Sequence, residues 1–138
     1  MPDPLSRQQR SSLMAKVKGK DTKPELVVRR LIHGMGYRYR LHRSDLPGKP
    51  DIVFPGRRKV IFVHGCFWHR HSCRRGQSLP QARRTWWTAK LERNAERDRS
   101  NTRRLRSLGL GVMIIWECQT KPANLEKLAA RIRRFLNA

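Results

Sequence analysis

Two hydrophobic rhythms alternate along this chain, one suited to helices and one to strands. Asp21-Thr22-Lys23-Pro24-Glu25 supplies a capping hydroxyl or carboxylate, an early proline and a first-turn acid, the opening of a helix. Leu26, Arg29/Arg30 and Ile32/His33 carry its pattern to Gly34 and Gly36, which end it. Residues 37–42 alternate aromatic or aliphatic side chains with arginine and read as a strand. Leu46-Pro47-Gly48-Lys49-Pro50 is a turn that delivers Asp51 into a short strand, Ile52-Val53-Phe54. Residues 55–58 then form a hairpin loop leading into a strand over 59–64. The loop from Cys73 to Pro80 is basic and reads as structureless. A long basic helix is predicted over residues 81–108, with Trp87, Leu91, Ala95, Thr102 and Leu105 as its apolar stripe and Gly109 and Gly111 at its end. Residues 112–116 make a second strongly apolar strand, and Asn124 stands ready to cap a last helix over 125–136.

The order helix, three strands, helix, strand, helix predicts an α/β fold with a mixed central sheet flanked by helices. No repeat or composition break divides it, so residues 21–138 are expected to form one domain. Residues 1–20 are polar and basic and are expected to be a flexible or DNA-following arm. The hairpin pairs 52–54 antiparallel with 59–62, which sets Asp51 beside residues 62–64. The strand 112–116 arrives after a helical crossover and is therefore expected to run parallel to 60–64 on a right-handed path. Parallel neighbours end at the same sheet edge, so Cys118 should emerge where Cys66 does. Asp51, His64, the 66–73 cluster and Cys118 then converge, although they are spread over 68 positions of sequence.

Charge narrows the partners. Among 138 residues, 32 Lys and Arg face 10 Asp and Glu, a net charge of +22 that concentrates polyanions around the molecule. Nucleic acid is the expected partner. An anionic membrane surface fits less well, because no segment approaches the ~18 consecutive apolar residues of a span. No charged-then-apolar leader is visible in the first residues, so a cytoplasmic protein with reduced thiols is expected.

That compartment favours metal ligation for the three cysteines. Cys66, His71, Cys73 and Cys118 offer three thiolates and an imidazole, a structural zinc set. A Cys66–Cys73 disulfide or buried free thiols are the alternatives, and His64 or His69 could replace His71. Asp51, at a strand start, suits Mg²⁺, which takes one or two carboxylates plus substrate phosphates; otherwise it only shapes a turn. Glu25, an acid in a first helical turn, is expected to meet the helix dipole, with a metal-related role as the alternative. His64 and His69 can deprotonate water or stabilise phosphate charge. Asp98 falls on the inner stripe of the long helix, where it would orient His69 or pair with an arginine. Of the pairs Phe67/Trp68 and Trp86/Trp87, at least one tryptophan of each is a core residue by default, whereas aromatics exposed on a basic surface can be wedges that open a base stack. Lys90, Arg93, Arg97 and Arg99 suit phosphate contacts.

Four segments carry a family resemblance: Leu46-Pro47-Gly48-Lys49-Pro50-Asp51, Val63-His64-Gly65-Cys66-Phe67-Trp68-His69, Asn94-Ala95-Glu96-Arg97-Asp98 and Ile115-Trp116-Glu117-Cys118. Together they resemble the very-short-patch-repair DNA mismatch endonucleases, over roughly Arg10 to Cys118. The resemblance implies a restriction-endonuclease-like fold and nicking of one duplex strand 5′ to the thymine of a T·G mismatch left by deaminated 5-methylcytosine. It implies Mg²⁺ on Asp51 and the backbone carbonyl of Val63, His69 supported by Asp98 as general base, and His64 near the scissile phosphate. Glu25 would act through metal-bound water, and zinc would sit on Cys66, His71, Cys73 and Cys118. Phe67, Trp68 and Trp87 would wedge beside the mismatch, and Lys90, Arg93 and Arg97 would contact phosphates.

A member of that family carries threonine at the position of Val63, a change that keeps a carbonyl ligand and removes a hydroxyl. The loop after Cys73 is one residue longer here, which leaves Trp86 and Trp87 both eligible as the third wedge. Val63 and His64 also stand where restriction enzymes usually place an acid-x-lysine pair. The expected agent is a monomer of the bacterial cytoplasm, associated with the nucleoid, with mismatch-repair proteins as candidate partners besides DNA. The rival readings are a non-catalytic, zinc-stapled nucleic-acid-binding protein and a nuclease of the same fold with another target.

Overall fold

The computed structural model describes residues 21–138; the basic arm expected over 1–20 lies outside them. Helix α1, Lys23–Gly34, opens as its sequence demands: Thr22 is the N-cap, its hydroxyl accepts the Glu25 N–H at 3.4 Å, and Pro24 sits in the first turn. Gly36, at φ +89°, turns the chain away from the helix end. The buried face is Glu25, Val28 and Ile32, whereas Leu26 is exposed. The stripe therefore lies one position off the one read from Leu26. An acid in the buried stripe masks it.

Strand β1 is only Arg40–Leu41, shorter than the predicted 37–42. Its partner β2, Ile52–Phe54, offers three residues, and the ladder closes with Arg40 opposite Val53 and Leu41 opposite Ile52. Tyr37 and Tyr39 pack on the core without pairing, and His42 leaves the strand through the left-handed region at φ 49°. A short 3₁₀ turn at Pro55–Arg57 joins β2 to β3, Lys59–His64, with Ile52 opposite Ile61 and Phe54 opposite Lys59. Helix α2, Arg84–Ser107, crosses to β4, Gly111–Trp116, which runs parallel to β3 along its whole length. Helix α3, Leu125–Asn137, closes the chain. The sheet order is β1-β2-β3-β4 with one parallel and two antiparallel pairings, the mixed sheet predicted.

Alternation in β3 divides the core in two. Ile61 joins Ile52, Phe54, Met113 and Ile115 beneath Val28 and Ile32 of α1 and Leu128, Ile132 and Leu136 of α3. Val60 and Phe62 point the other way, with Val53, onto Leu105 of α2. Each such fully buried aliphatic contributes roughly 1.5–3 kcal/mol.

Two local readings need correction. Helix α2 starts at Arg84, because Arg83 adopts the left-handed conformation at φ 57°. Asn124 holds the cap position of α3 without capping it; its amide instead donates to the Cys118 carbonyl at 3.1 Å, tying the helix start to the cysteine turn. Among the described residues no helix is long and apolar enough to cross a membrane.

Candidate active site

Register places the acid. With Ile52 opposite Ile61, the next pair outward sets Asp51 against Phe62, and Asp51 Oδ2 accepts the Val63 N–H at 2.7 Å. The carboxylate of one strand is thus fixed to the backbone unit of the next. Glu25 reaches the same place from the first turn of α1, almost wholly buried, and bears electrostatically on Asp51. Burial pushes the Asp51 carboxyl up to about 7, the Glu25 charge adds to the rise, and the Val63 N–H opposes it. Two carboxyl groups this close repel as anions, which is the electrostatic preparation a cation would exploit.

The histidines stand at the end of β3. His64 is 5% exposed and lies flat against His69, ring centres 3.8 Å apart and planes within 6°. His69 Nδ1 meets Asp98 Oδ2 at 2.6 Å, and its backbone N–H donates to the Gly65 carbonyl at 3.2 Å. Of the two partners weighed for Asp98, the histidine is the one it faces. In a neutral imidazole a carboxylate facing Nδ1 draws the ring proton there, which makes Nε2 the acceptor. His64 differs: burial, then the neighbouring His69, push its pKa down to about 3, so it stays neutral. Its buried Nδ1 has no hydrogen-bond partner.

Beyond these, Cys66, His71, Cys73 and Cys118 bring one ligand atom each to within 4.8 Å of one another. Cys118 Sγ lies 3.6 Å from His71 Nδ1, and the Cys118 N–H points at Cys66 Sγ at 3.4 Å. All three thiols are free, so the Cys66–Cys73 disulfide is not formed, and His71 is the histidine grouped with them. Burial pushes the Cys66 thiol up to about 12, whereas the Gly76 N–H holds the Cys73 thiol down. Three sulfurs and an imidazole at this spacing fit a tetrahedral soft-metal site, where a dication would offset the cost of ionising Cys66.

The following loop is built, contrary to its structureless reading. It contains a 3₁₀ turn, Arg75–Gln77, and Gly76 is pressed so closely on His71 that a Cβ there would stand 2.0 Å from the His71 carbonyl oxygen. Gln77 Nε2 also donates to that carbonyl, at 2.9 Å. Trp116 joins the two groups of rings: it stacks on His71 at 4.3 Å and meets His64 edge-on at 5.3 Å.

Phe67, Trp68 and Trp87 form one half-buried cluster, with ring centres 5.1 to 5.9 Å apart. Asn94 of α2 fixes the Trp68 carbonyl at 3.2 Å. Trp87 therefore belongs with Phe67 and Trp68. Trp86 is 41% exposed, edge-on to Trp87, with the cations of Arg83 and Lys90 over its ring at 4.7 and 5.5 Å. Arg93 and Arg97 are exposed on the same helix. A cavity of about 630 Å³ beside Tyr37, Arg38, Tyr39, Arg40 and Arg57 lies elsewhere and includes none of the acids or histidines. The candidate chemistry gathers at the end of β3, with Glu25 and His64 buried and His69 and Asp98 partly exposed.

Sequence reasoning missed Arg29, His42, Trp116 and Gly76 as parts of this assembly. Arg29 stands four residues after Glu25, a spacing that signals an ion pair. The left-handed turn that brings His42 inward carries no comparable signal.

An acid pair beside a carboxylate–histidine dyad, at the end of an inner strand of a strongly basic α/β domain, is the equipment of a nuclease. Comparison with known proteins gives the family. The model of the DNA mismatch endonuclease Vsr matches residues 2–75. The type II nicking enzyme V.XorIIP of Xanthomonas oryzae pv. oryzae is 50% identical over 137 residues, covering 99% of this chain and 98% of that protein. The nicking enzyme V.NmeAIP of Neisseria meningitidis is 38% identical over 140 residues, covering 100% and 99%. The DNA mismatch endonuclease Vsr of Escherichia coli K12 is 41% identical over 118 residues, covering 86% and 75%. The chain belongs to the Vsr family of DNA mismatch endonucleases and is a DNA endonuclease, a hydrolase. A purely non-catalytic binding role gives way to that finding.

Proposed function

We propose that this enzyme nicks one strand of duplex DNA 5′ to the thymine of a T·G mismatch, beginning the repair of deaminated 5-methylcytosine. The observation that carries the reading is the junction of Asp51, bonded to the Val63 N–H, with a His69–Asp98 dyad stacked on neutral His64. The domain is then a restriction-endonuclease-like fold with one catalytic sheet edge. Asp51 and the Val63 carbonyl would hold Mg²⁺, with Glu25 acting through bound water. The cation would neutralise charge developing on the scissile phosphate. His69 accepts the proton of the attacking water at Nε2, while Asp98 holds the ring and stabilises the imidazolium. His64, uncharged and buried, sits against this base without competing for the proton.

The cysteine–histidine cluster fits zinc, which would fasten the 66–73 loop to the turn after β4. Phe67, Trp68 and Trp87 are the wedge at the mismatch, and Lys90, Arg93 and Arg97 follow the phosphates. Net charge of +22 suits a monomer working on nucleoid DNA in the cytoplasm, with mismatch-repair proteins as its partners.

Strand-labelled T·G and matched duplexes incubated with Mg²⁺ test the reading. A single nick confined to the T·G duplex is expected, lost in Asp51→Ala with fold and zinc content retained. Equal nicking of the matched duplex would make this a nuclease with another target, and full activity of Asp51→Ala would overturn the site.

A further inference from the structure

Glu25 is held more firmly than a first-turn acid needs to be. Its Oε2 is ion-paired to the Arg29 guanidinium one turn along α1 and lies 2.9 Å from His42 Nε2. Arg29 also pairs with Asp21 and comes within 3.3 Å of His42 Nε2. His42 binds the second acid as well, because its backbone N–H donates to the Asp51 carbonyl at 3.1 Å. In making both contacts His42 takes a left-handed conformation, φ 49°. Arg29 Nε is buried without a hydrogen-bond partner. Stability alone does not favour an unsatisfied guanidinium donor beside a buried carboxylate. Local expense of this kind collects at functional sites.

We propose that Arg29 and His42 are positioning residues for the acid pair, a two-sided clamp that holds the Glu25 carboxyl in place against Asp51. Arg29 supplies the charge from the helix side. His42, bonded to Glu25 through its ring and to Asp51 through its backbone, fixes the spacing between α1 and the start of β2. Both contacts fall on Oε2, so neither occupies Oε1. The inference rests on the reading of Asp51 and Glu25 as the Mg²⁺-serving acids.

The test compares Arg29→Met, Arg29→Lys, His42→Gln and Glu25→Gln in single-turnover nicking across a Mg²⁺ titration, with calorimetric Mg²⁺ binding alongside. Circular dichroism verifies folding, and Arg29→Lys keeps the experiment decisive if Arg29→Met does not fold. Arg29→Met and His42→Gln are expected to raise half-saturating Mg²⁺ by roughly 10–100-fold, the usual effect of losing an outer partner of a metal site. Arg29→Lys should recover to within about threefold. In a Glu25→Gln background Arg29→Met should weaken Mg²⁺ binding no further, since it acts through that acid. Unchanged Mg²⁺ dependence in both clamp variants, with Glu25→Gln impaired, overturns the clamp. So does a loss of duplex binding without Mg²⁺ in Arg29→Met, which would make Arg29 a direct DNA contact. Normal Mg²⁺ dependence in Glu25→Gln would instead sink the role given to Glu25, and the clamp with it.

Discussion

Asp51 offers the sharpest quantitative prediction, because its carboxyl retains a proton up to about 7 against an ordinary value of 3.8. A carboxylic acid is no ligand for Mg²⁺, so binding must expel that proton wherever the acid is still protonated. One proton with this pKa weakens apparent Mg²⁺ affinity about tenfold at pH 6 and hardly at all at pH 8. His64 does not blur the result, since its ring is already neutral down to about 3. Stability follows with a definite sign. In protein without added Mg²⁺, the raised Asp51 pKa favours the folded state fully below 3.8, and the benefit is lost as pH rises through about 7. By linkage the whole change is on the order of 4 kcal/mol. Mg²⁺ should therefore raise the melting temperature more at pH 8 than at pH 6. The direct assay is titration calorimetry of the free protein in two buffers of different ionisation enthalpy. Release of close to one proton per Mg²⁺ at pH 6, falling to about a tenth at pH 8, is expected. Binding that releases no proton at pH 6, or that persists unchanged in Asp51→Asn, would refute the placement of the cation on this acid.

Three further outcomes test the rest of the site. Asp98→Asn should cut the single-turnover nicking rate by about 10²–10⁴-fold with duplex affinity intact, as loss of an oriented base does; a rate within threefold of normal would remove His69 from that role. Gly76→Ala forces a methyl against the His71 carbonyl and should cost about 1–3 kcal/mol, with zinc content falling in elemental analysis; full zinc and an unchanged melting curve would contradict the contact. Trp116→Ala removes the ring between His71 and His64, so zinc affinity and nicking rate should fall together; a loss of one alone would show that the two groups are independent.

Much of this assembly was legible in the sequence because strand register is arithmetic. A turn at 55–58 and a helical crossover sufficed to bring Asp51 beside residue 63 and Cys118 beside Cys66, and both proximities are found. Asp98 was legible for a similar reason: helical spacing put an acid on a buried stripe, where it needs a partner. What escaped was set by backbone conformations that side-chain patterns do not encode. β1 stops at two residues because His42 turns left-handed, and the same turn brings its imidazole to Glu25. The loop after Cys73 looked empty because its order comes from a glycine packed on a carbonyl and from side chains bonded to backbone. Neither produces a hydrophobic period.

The brief turn between β2 and β3 carries a consequence for any redesign of this protein. Pro55–Arg57, with Arg58 in the left-handed conformation, is a ruler that counts how far Asp51 lies from the end of β3. One residue inserted into the ladder would reverse its parity and exchange the β3 side chains that face α1 and α3 for those that face α2. Two would restore the parity but carry Asp51 past the Val63 N–H to a different backbone unit. The cutting edge is thus calibrated at the far end of the hairpin, by residues that touch none of the acids. Length there should be among the least negotiable properties of the chain.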